Sequence, residues 1–262
     1  MLGVFDSGYG GLSILRALCA AFPQYDFCYF GDNARAPYGP RSAEEIYQFT
    51  KEGVEFLEKQ GCTLIILACN TASAVALRRL QQERGFAGAR VLGVLVPSLE
   101  SIVAAHPKRV AIVGTEATVR SHAFVRELEK MDSNIVVMQQ PIPELAGMIE
   151  RKASREDVRA VILAALSKFP QSFHALVLGC THYGHVADIF AELVTDVTIL
   201  HQDVAVVTAL RDYLLRHPEI EVLLGREGNR KFFSSSLLSS SLEEGYSFFF
   251  GSTISVVSTY AL

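Results

Sequence analysis

Hydrophobic and polar positions along this chain follow two periods. Short apolar runs at Leu2–Phe5, Phe27–Phe30, Leu64–Leu67, Val91–Leu95, Val110–Val113, Ile135–Val137, Leu176–Leu178 and Val197–Leu200 have the length and content of buried strands. The stretches between them repeat apolar residues near helical spacing. Ser42, with Glu45 three residues on, is a capping-box signature ahead of Ile46, Phe49, Phe56 and Leu57, and it predicts a helix over 43–60. Ser154 and Asp157 stand in the same relation, and helices are also expected over 74–84 and from Val186. Strand and helix in alternation imply right-handed crossovers and a mainly parallel sheet covered on both faces, so the fold class is α/β.

Within that alternation one arrangement occurs twice. "LIILACNTASAV" (64–75) and "ALVLGCTHYGHV" (175–186) each run a strand into a cysteine, a small polar turn and a helix. "VFDSG" (4–8) and "IVGTE" (112–116) form a second pair at nearly the same offset. Two pseudo-symmetric α/β domains follow, expected at 1–94 plus 204–262 and at 95–203, with the active site in the cleft between them. The tail "FFSSSLLSSSLEEGYSFFFG" is serine-rich but too aromatic for a disordered linker, and reads as loop plus a terminal helix or strand.

Composition narrows the function. With 28 acidic against 24 basic residues and no long basic run, the chain has no footprint for nucleic acid. No apolar run approaches the roughly 20 residues of a membrane span, and the first residues carry no leader pattern. Cys19, Cys28, Cys62, Cys69 and Cys180 make an odd set without metal or disulfide spacing, which points to a reducing cytoplasm and to no metal site. A homodimer is left open as the assembly.

Cys19, Cys28 and Cys62 read as inert small hydrophobes. Cys69 and Cys180 differ, because each follows a strand and precedes a helix N-terminus, where thiolate is stabilised. Two thiols on opposite sides of a cleft suit the inversion of a stereocentre, which needs a base on one face of a carbon and an acid on the other. In "DSGYGG" (6–11), Ser13 stands where a dinucleotide loop needs glycine, so Gly8, Gly10 and Gly11 are expected instead to bring backbone N–H groups to a small anion. Asp6 is a candidate partner for a thiol or an ammonium, Pro37-Tyr38-Gly39 for a pocket wall, and His182 for a proton donor beside Cys180. Lys51, Lys59, Lys108, Lys130, Lys152, Lys168 and Lys231 all sit in surface-like contexts, so no Schiff-base lysine stands out and no cofactor is expected.

"FDSGYGGLSIL", "GDNARAPYG", "ACNTASA", "GTEATVRS" and "LGCTHY" resemble, in order, the signatures of glutamate racemases in the cofactor-independent aspartate/glutamate racemase superfamily. The resemblance implies interconversion of L- and D-glutamate as the small-molecule substrate, for peptidoglycan precursor synthesis in the cytoplasm. It implies that Cys69 acts on the D-enantiomer and Cys180 on the L-enantiomer, assisted by Asp6 and His182 respectively. Substrate contacts carried over are Ser7, Pro37, Tyr38, Gly39, Asn70, Thr71 and Thr181, with Thr115, Thr118 and Ser121 as carboxylate or supporting groups. An acidic residue in "QQPIPELAGMIER" is also implied, and spacing favours Glu150 over Glu144. The chain departs from the pattern at Val96, at Gly184 where proline is common, and at "HQD" (201–203) where an Asp-Ser pair is common. An aspartate or other amino-acid racemase, or a non-catalytic protein keeping the fold, are the competing readings.

Overall fold

The computed structural model describes residues 1–84, 88–256 and 258–259. Two parallel sheets organise the chain. The first is built from β1 (Leu2–Asp6), β2 (Phe27–Gly31), β3 (Leu64–Leu67), β4 (Arg90–Gly93), and β9 (Arg230–Ser234) with β10 (Ser258–Thr259). The second comprises β5 (Arg109–Gly114), β6 (Val136–Pro141), β7 (Ala175–Gly179) and β8 (Thr198–Leu200). Strand order is β10-β9-β2-β1-β3-β4 in one and β6-β5-β7-β8 in the other. The run β2-β1-β3-β4 and the run β6-β5-β7-β8 are the same order shifted by four strands, so the repeated sequence arrangement is a repeated topology.

In both sheets the connection from the first strand goes one way and the third strand lies on the other side. That reversal leaves a crevice at the carboxyl ends of β1 and β3, and of β5 and β7, which is where open α/β sheets take ligands.

Strand burial explains why the apolar runs were continuous: β1, β2, β3 and β7 are buried at every residue, with helices on both faces. One core face holds Leu2, Val4, Leu64 and Ile66 together with Val110, Ile112, Leu176 and Leu178 of the second sheet. The opposite face of the first sheet packs Phe5, Phe30, Ile65 and Leu67 against Ile46, Val54 and Leu57 of the helix Ala43–Lys59. Each such side chain contributes about 1.5–3 kcal/mol by leaving water. The helix Gln202–Arg216 packs on both Gly11–Ala21 and Leu95–Val103, tying the end of the second sheet to the first. Among the described residues, no helix is long and apolar enough to cross a membrane.

The capping box forms as expected: Glu45 N–H donates to Ser42 Oγ at 3.2 Å and Ser42 N–H to Glu45 Oε2 at 3.0 Å. Ser154 Oγ likewise accepts from Asp157 N–H at 3.1 Å. Several boundaries differ. The helix expected over 74–84 starts at Asn70, breaks near Ala76 and resumes as Leu77–Arg84, because Cys69 itself caps it. β4 ends at Gly93 and Leu95 opens a helix, since one apolar run serves two successive elements and periodicity cannot mark where one stops. β6 extends through Gln139 and Gln140 to Pro141, polar residues that an edge strand tolerates. After Cys180 comes a 3-10 turn, Thr181–Val186, before the helix Ala187–Leu193. The serine-rich tail yields β9 and a helix, Ser240–Phe250, capped by Ser239 and closed by Gly251 at φ +84°.

Candidate active site

The two cysteines occupy equivalent places: Cys69 follows β3 and Cys180 follows β7, each beside its sheet's reversal. The end of β1 joins them. Ser7 Oγ lies 3.3 Å from Cys69 Sγ in a hydrogen bond, while the adjacent Asp6 Oδ2 accepts from Thr181 Oγ1 at 3.3 Å. Asp6 is fully buried, and its other oxygen accepts from Gly8 N–H at 2.8 Å. Burial raises its carboxyl pKa, against the lowering pull of His182 and the backbone donors.

Gly10 and Gly11 have a packing reason here. A Cβ on Gly10 would overlap Thr181 Oγ1 and fall 2.6 Å from His182 Nδ1, and one on Gly11 would lie 2.6 Å from Asp6 Cβ. The glycines bring the helix Gly11–Ala21 against site side chains, where the sequence suggested an anion loop.

Around Cys180 runs a relay. Its Sγ is 3.8 Å from His182 Nδ1, and His182 Nε2 is 2.7 Å from Glu150 Oε1. Burial opposes a charge on His182, but the Cys180 and Glu150 hydrogen bonds and charges outweigh it and hold the imidazole pKa up at about 10. Glu150 closes the helix Leu145–Glu150; Glu144 stands before that helix, with no hydrogen bond to His182. The Phe249 ring packs edge-on against His182 at 5.1 Å, so the tail helix walls this side.

Cys69 is 5% exposed and accepts from Ala72 N–H at 3.5 Å as the cap of its helix. Burial, followed by the Asp6 carboxylate, pushes the thiol up to about 12; Ser7 and Ala72 work the other way, and charge on Cys180 adds to the rise.

Three hydroxyls complete the floor between the sheets: Thr71 Oγ1 is 2.8 Å from Thr115 Oγ1 and 3.2 Å from Thr118 Oγ1. Gly39 packs on Thr115, and its carbonyl accepts from Ala117 N–H at 3.1 Å. Tyr38 is buried and donates to Asp32 Oδ2 at 2.5 Å, while the peptide before Pro37 is cis. Ser121 turns aside, donating to Thr118 O at 2.6 Å. Asn70 pairs with Gln202 through two amide hydrogen bonds. Sequence reasoning missed Asp32, Gln202 and Phe249 as site residues. "GDN" and the departure at "HQD" were available signals for the first two; Phe249 had none.

A cavity of about 610 Å³ lies elsewhere, lined by Ser73, Leu77, Val96 and Tyr213 and by neither thiol.

A pair of parallel sheets with one thiol at each reversal defines the class, and comparison with known proteins agrees. The sequence model of the Asp/Glu/hydantoin racemase family matches residues 12–210, and the chain belongs to that family. A glutamate racemase of Phenylobacterium zucineum is 41% identical over 89% of this chain and 91% of its own. The crystal structure of a Francisella tularensis glutamate racemase in complex with D-glutamate superposes with a TM-score of 0.89 at 29% identity, covering 99% of this chain and 97% of that one. A Thermus thermophilus glutamate racemase in complex with β-chloro-D-alanine gives 0.85 at 30% identity, over 100% and 96%.

Proposed function

We propose that this racemase interconverts L- and D-glutamate, supplying D-glutamate for peptidoglycan precursors in the cytoplasm, with Cys69 and Cys180 as its two bases. The observation that carries the reading is the Asp6-Ser7 pair, which touches the Cys69 turn with one residue and the Cys180 turn with the other. One substrate carbon then faces both thiols. Similarity to glutamate racemases at 41% identity supports the choice of substrate.

From D-glutamate, Cys69 as thiolate removes the Cα proton, and Cys180 delivers a proton to the opposite face. From L-glutamate the roles exchange. Before the first step Cys69 must lose its proton, which its surroundings resist. The incoming substrate ammonium supplies positive charge in the same buried space and lowers that resistance, and Asp6, itself raised by burial, is the acceptor at hand. On the other side His182, held protonated by Glu150, returns a proton to Cys180. Ser7, Asn70, Thr71 and Thr181 hold the amino-acid end. Thr115 and Thr118 hold a carboxylate, Ser121 supports Thr118, and Pro37, Tyr38 and Gly39 wall the pocket. The same reading divides the chain at 1–94 plus 204–262 and 95–203, a division supported by β9 and β10 joining the first sheet.

The test is isotopic. L-Glutamate, and L-aspartate as competitor, are incubated in heavy water and followed by chiral chromatography and proton NMR. Glutamate racemises faster, and early D-product carries deuterium at Cα, because each thiol exchanges with solvent between turnovers. Early product that keeps its original α-hydrogen refutes the two-base mechanism, and preferential turnover of aspartate refutes the substrate.

A further inference from the structure

Gln202 opens the helix Gln202–Arg216, directly after β8 of the second sheet, whereas Asn70 follows Cys69 on the first. Their side-chain amides pair face to face. Asn70 Nδ2 donates to Gln202 Oε1 at 2.8 Å, and Gln202 Nε2 donates to Asn70 Oδ1 at 2.9 Å. The second Nε2 hydrogen goes to Ser98 Oγ at 2.9 Å, and Ser98 in turn donates to Val94 O at 2.7 Å. All three side chains are buried, at 2% exposure for Asn70, 0% for Ser98 and 9% for Gln202. Each amide thus has one orientation that satisfies its partners, and any other leaves buried donors and acceptors unpaired.

We propose that Gln202 is a positioning residue for the Cys69 half of the reaction. It fixes the Asn70 side chain, Asn70 fixes the turn on which Cys69 sits, and the turn sets the distance from Cys69 Sγ to the substrate carbon. The inference rests on the two-thiol reading. It also gives the departure at "HQD" a purpose, since the long amide of Gln202 reaches a turn carried by the other sheet. The Cys180 relay, made of His182, Glu150 and the Asp6–Thr181 bond, does not pass through Gln202. Gln202 does border a cavity of about 110 Å³ that Cys180 also lines, so an effect through Cys180 is the competing outcome.

Elimination from the two enantiomers of a 3-chloroglutamate separates the sides, because it needs a single base. The base removes the Cα proton, chloride leaves Cβ, and the resulting enamine tautomerises and hydrolyses to 2-oxoglutarate and ammonium. Gln202→Glu keeps the shape and the acceptor for Asn70 but loses both donors; Gln202→Leu removes all polar contacts. A misplacement near 1 Å costs about 100-fold, so elimination from the D-isomer is expected to fall by about 10- to 100-fold, while the L-isomer stays within about twofold. Racemisation falls through kcat, with KM changing less. Equal loss on both isomers, loss on the L-isomer alone, or no loss overturns the proposal. Cys69→Ser is run alongside: if it still eliminates from the D-isomer, the two-thiol reading itself fails, and the role of Gln202 with it. Should Gln202→Leu not fold, Gln202→Glu, verified by thermal unfolding, decides alone.

Discussion

Replacing Glu150 by glutamine keeps the shape of the relay and removes one charge. In the native arrangement the His182 pKa is pushed up to about 10 by its hydrogen bonds to Cys180 on one ring nitrogen and Glu150 on the other. A hydrogen bond between charged groups contributes about 1.5–3 kcal/mol. The Glu150 side chain is 36% exposed and its charge is screened by water, so the lower figure, about 1.5 kcal/mol, applies. At about 1.36 kcal/mol per pH unit, His182 should titrate about one unit lower in Glu150→Gln. The assay is a ring nitrogen titration by NMR, with the basic limb of the racemisation pH profile moving down by the same amount. Stability follows with a definite sign. His182 has a folded pKa above its unfolded value of 6.5, so its contribution is fully present below about pH 6.5 and is lost as pH rises toward 10. The two proteins should therefore differ most in urea midpoint near pH 6 and converge above pH ~10. An unchanged His182 titration in the variant would refute the relay.

Three other substitutions test the rest of the site. Cys69→Ser and Cys180→Ser should each remain folded and lose racemisation by about 10³-fold or more, because a hydroxyl is too weak an acid to replace a thiolate; near-native turnover of glutamate enantiomers by either removes it from the mechanism. Gly10→Ala pushes a methyl group into Thr181 and His182, and should cost about 1–3 kcal/mol in urea unfolding together with a drop in kcat; full stability and full rate would mean that the close approach is not needed.

The elements that were legible in advance are those whose signal is local. β1, β2, β3 and β7 are buried at every residue, and a strand buried on both faces is written as an unbroken apolar run. Ser42 and Glu45 announce their helix because a cap involves residues three apart. β6 was only half visible, since an edge strand accepts glutamines that carry no apolar signal. The tail helix carries no clear period in the sequence, because its aromatics pack on distant residues such as Tyr9 and His182 rather than on a repeating partner.

For the site the division is similar. By itself the sequence determined that two thiols lie in turns after strands, with Asp6, Ser7, Thr115 and Thr181 in matching turns, because strand, turn and helix start are written within a few consecutive residues. Only the tertiary structure decided what those residues touch. Asn70 meets Gln202 across 132 positions, Ser7 meets Cys69 across 62, and Asp6 meets Thr181 across 175. It also turned Ser121 into its own helix end and brought Glu150 to His182. Contacts of this kind depend on where two sheets place their edges in space, and a hydrogen bond between single side chains leaves no period in the chain from which to read it.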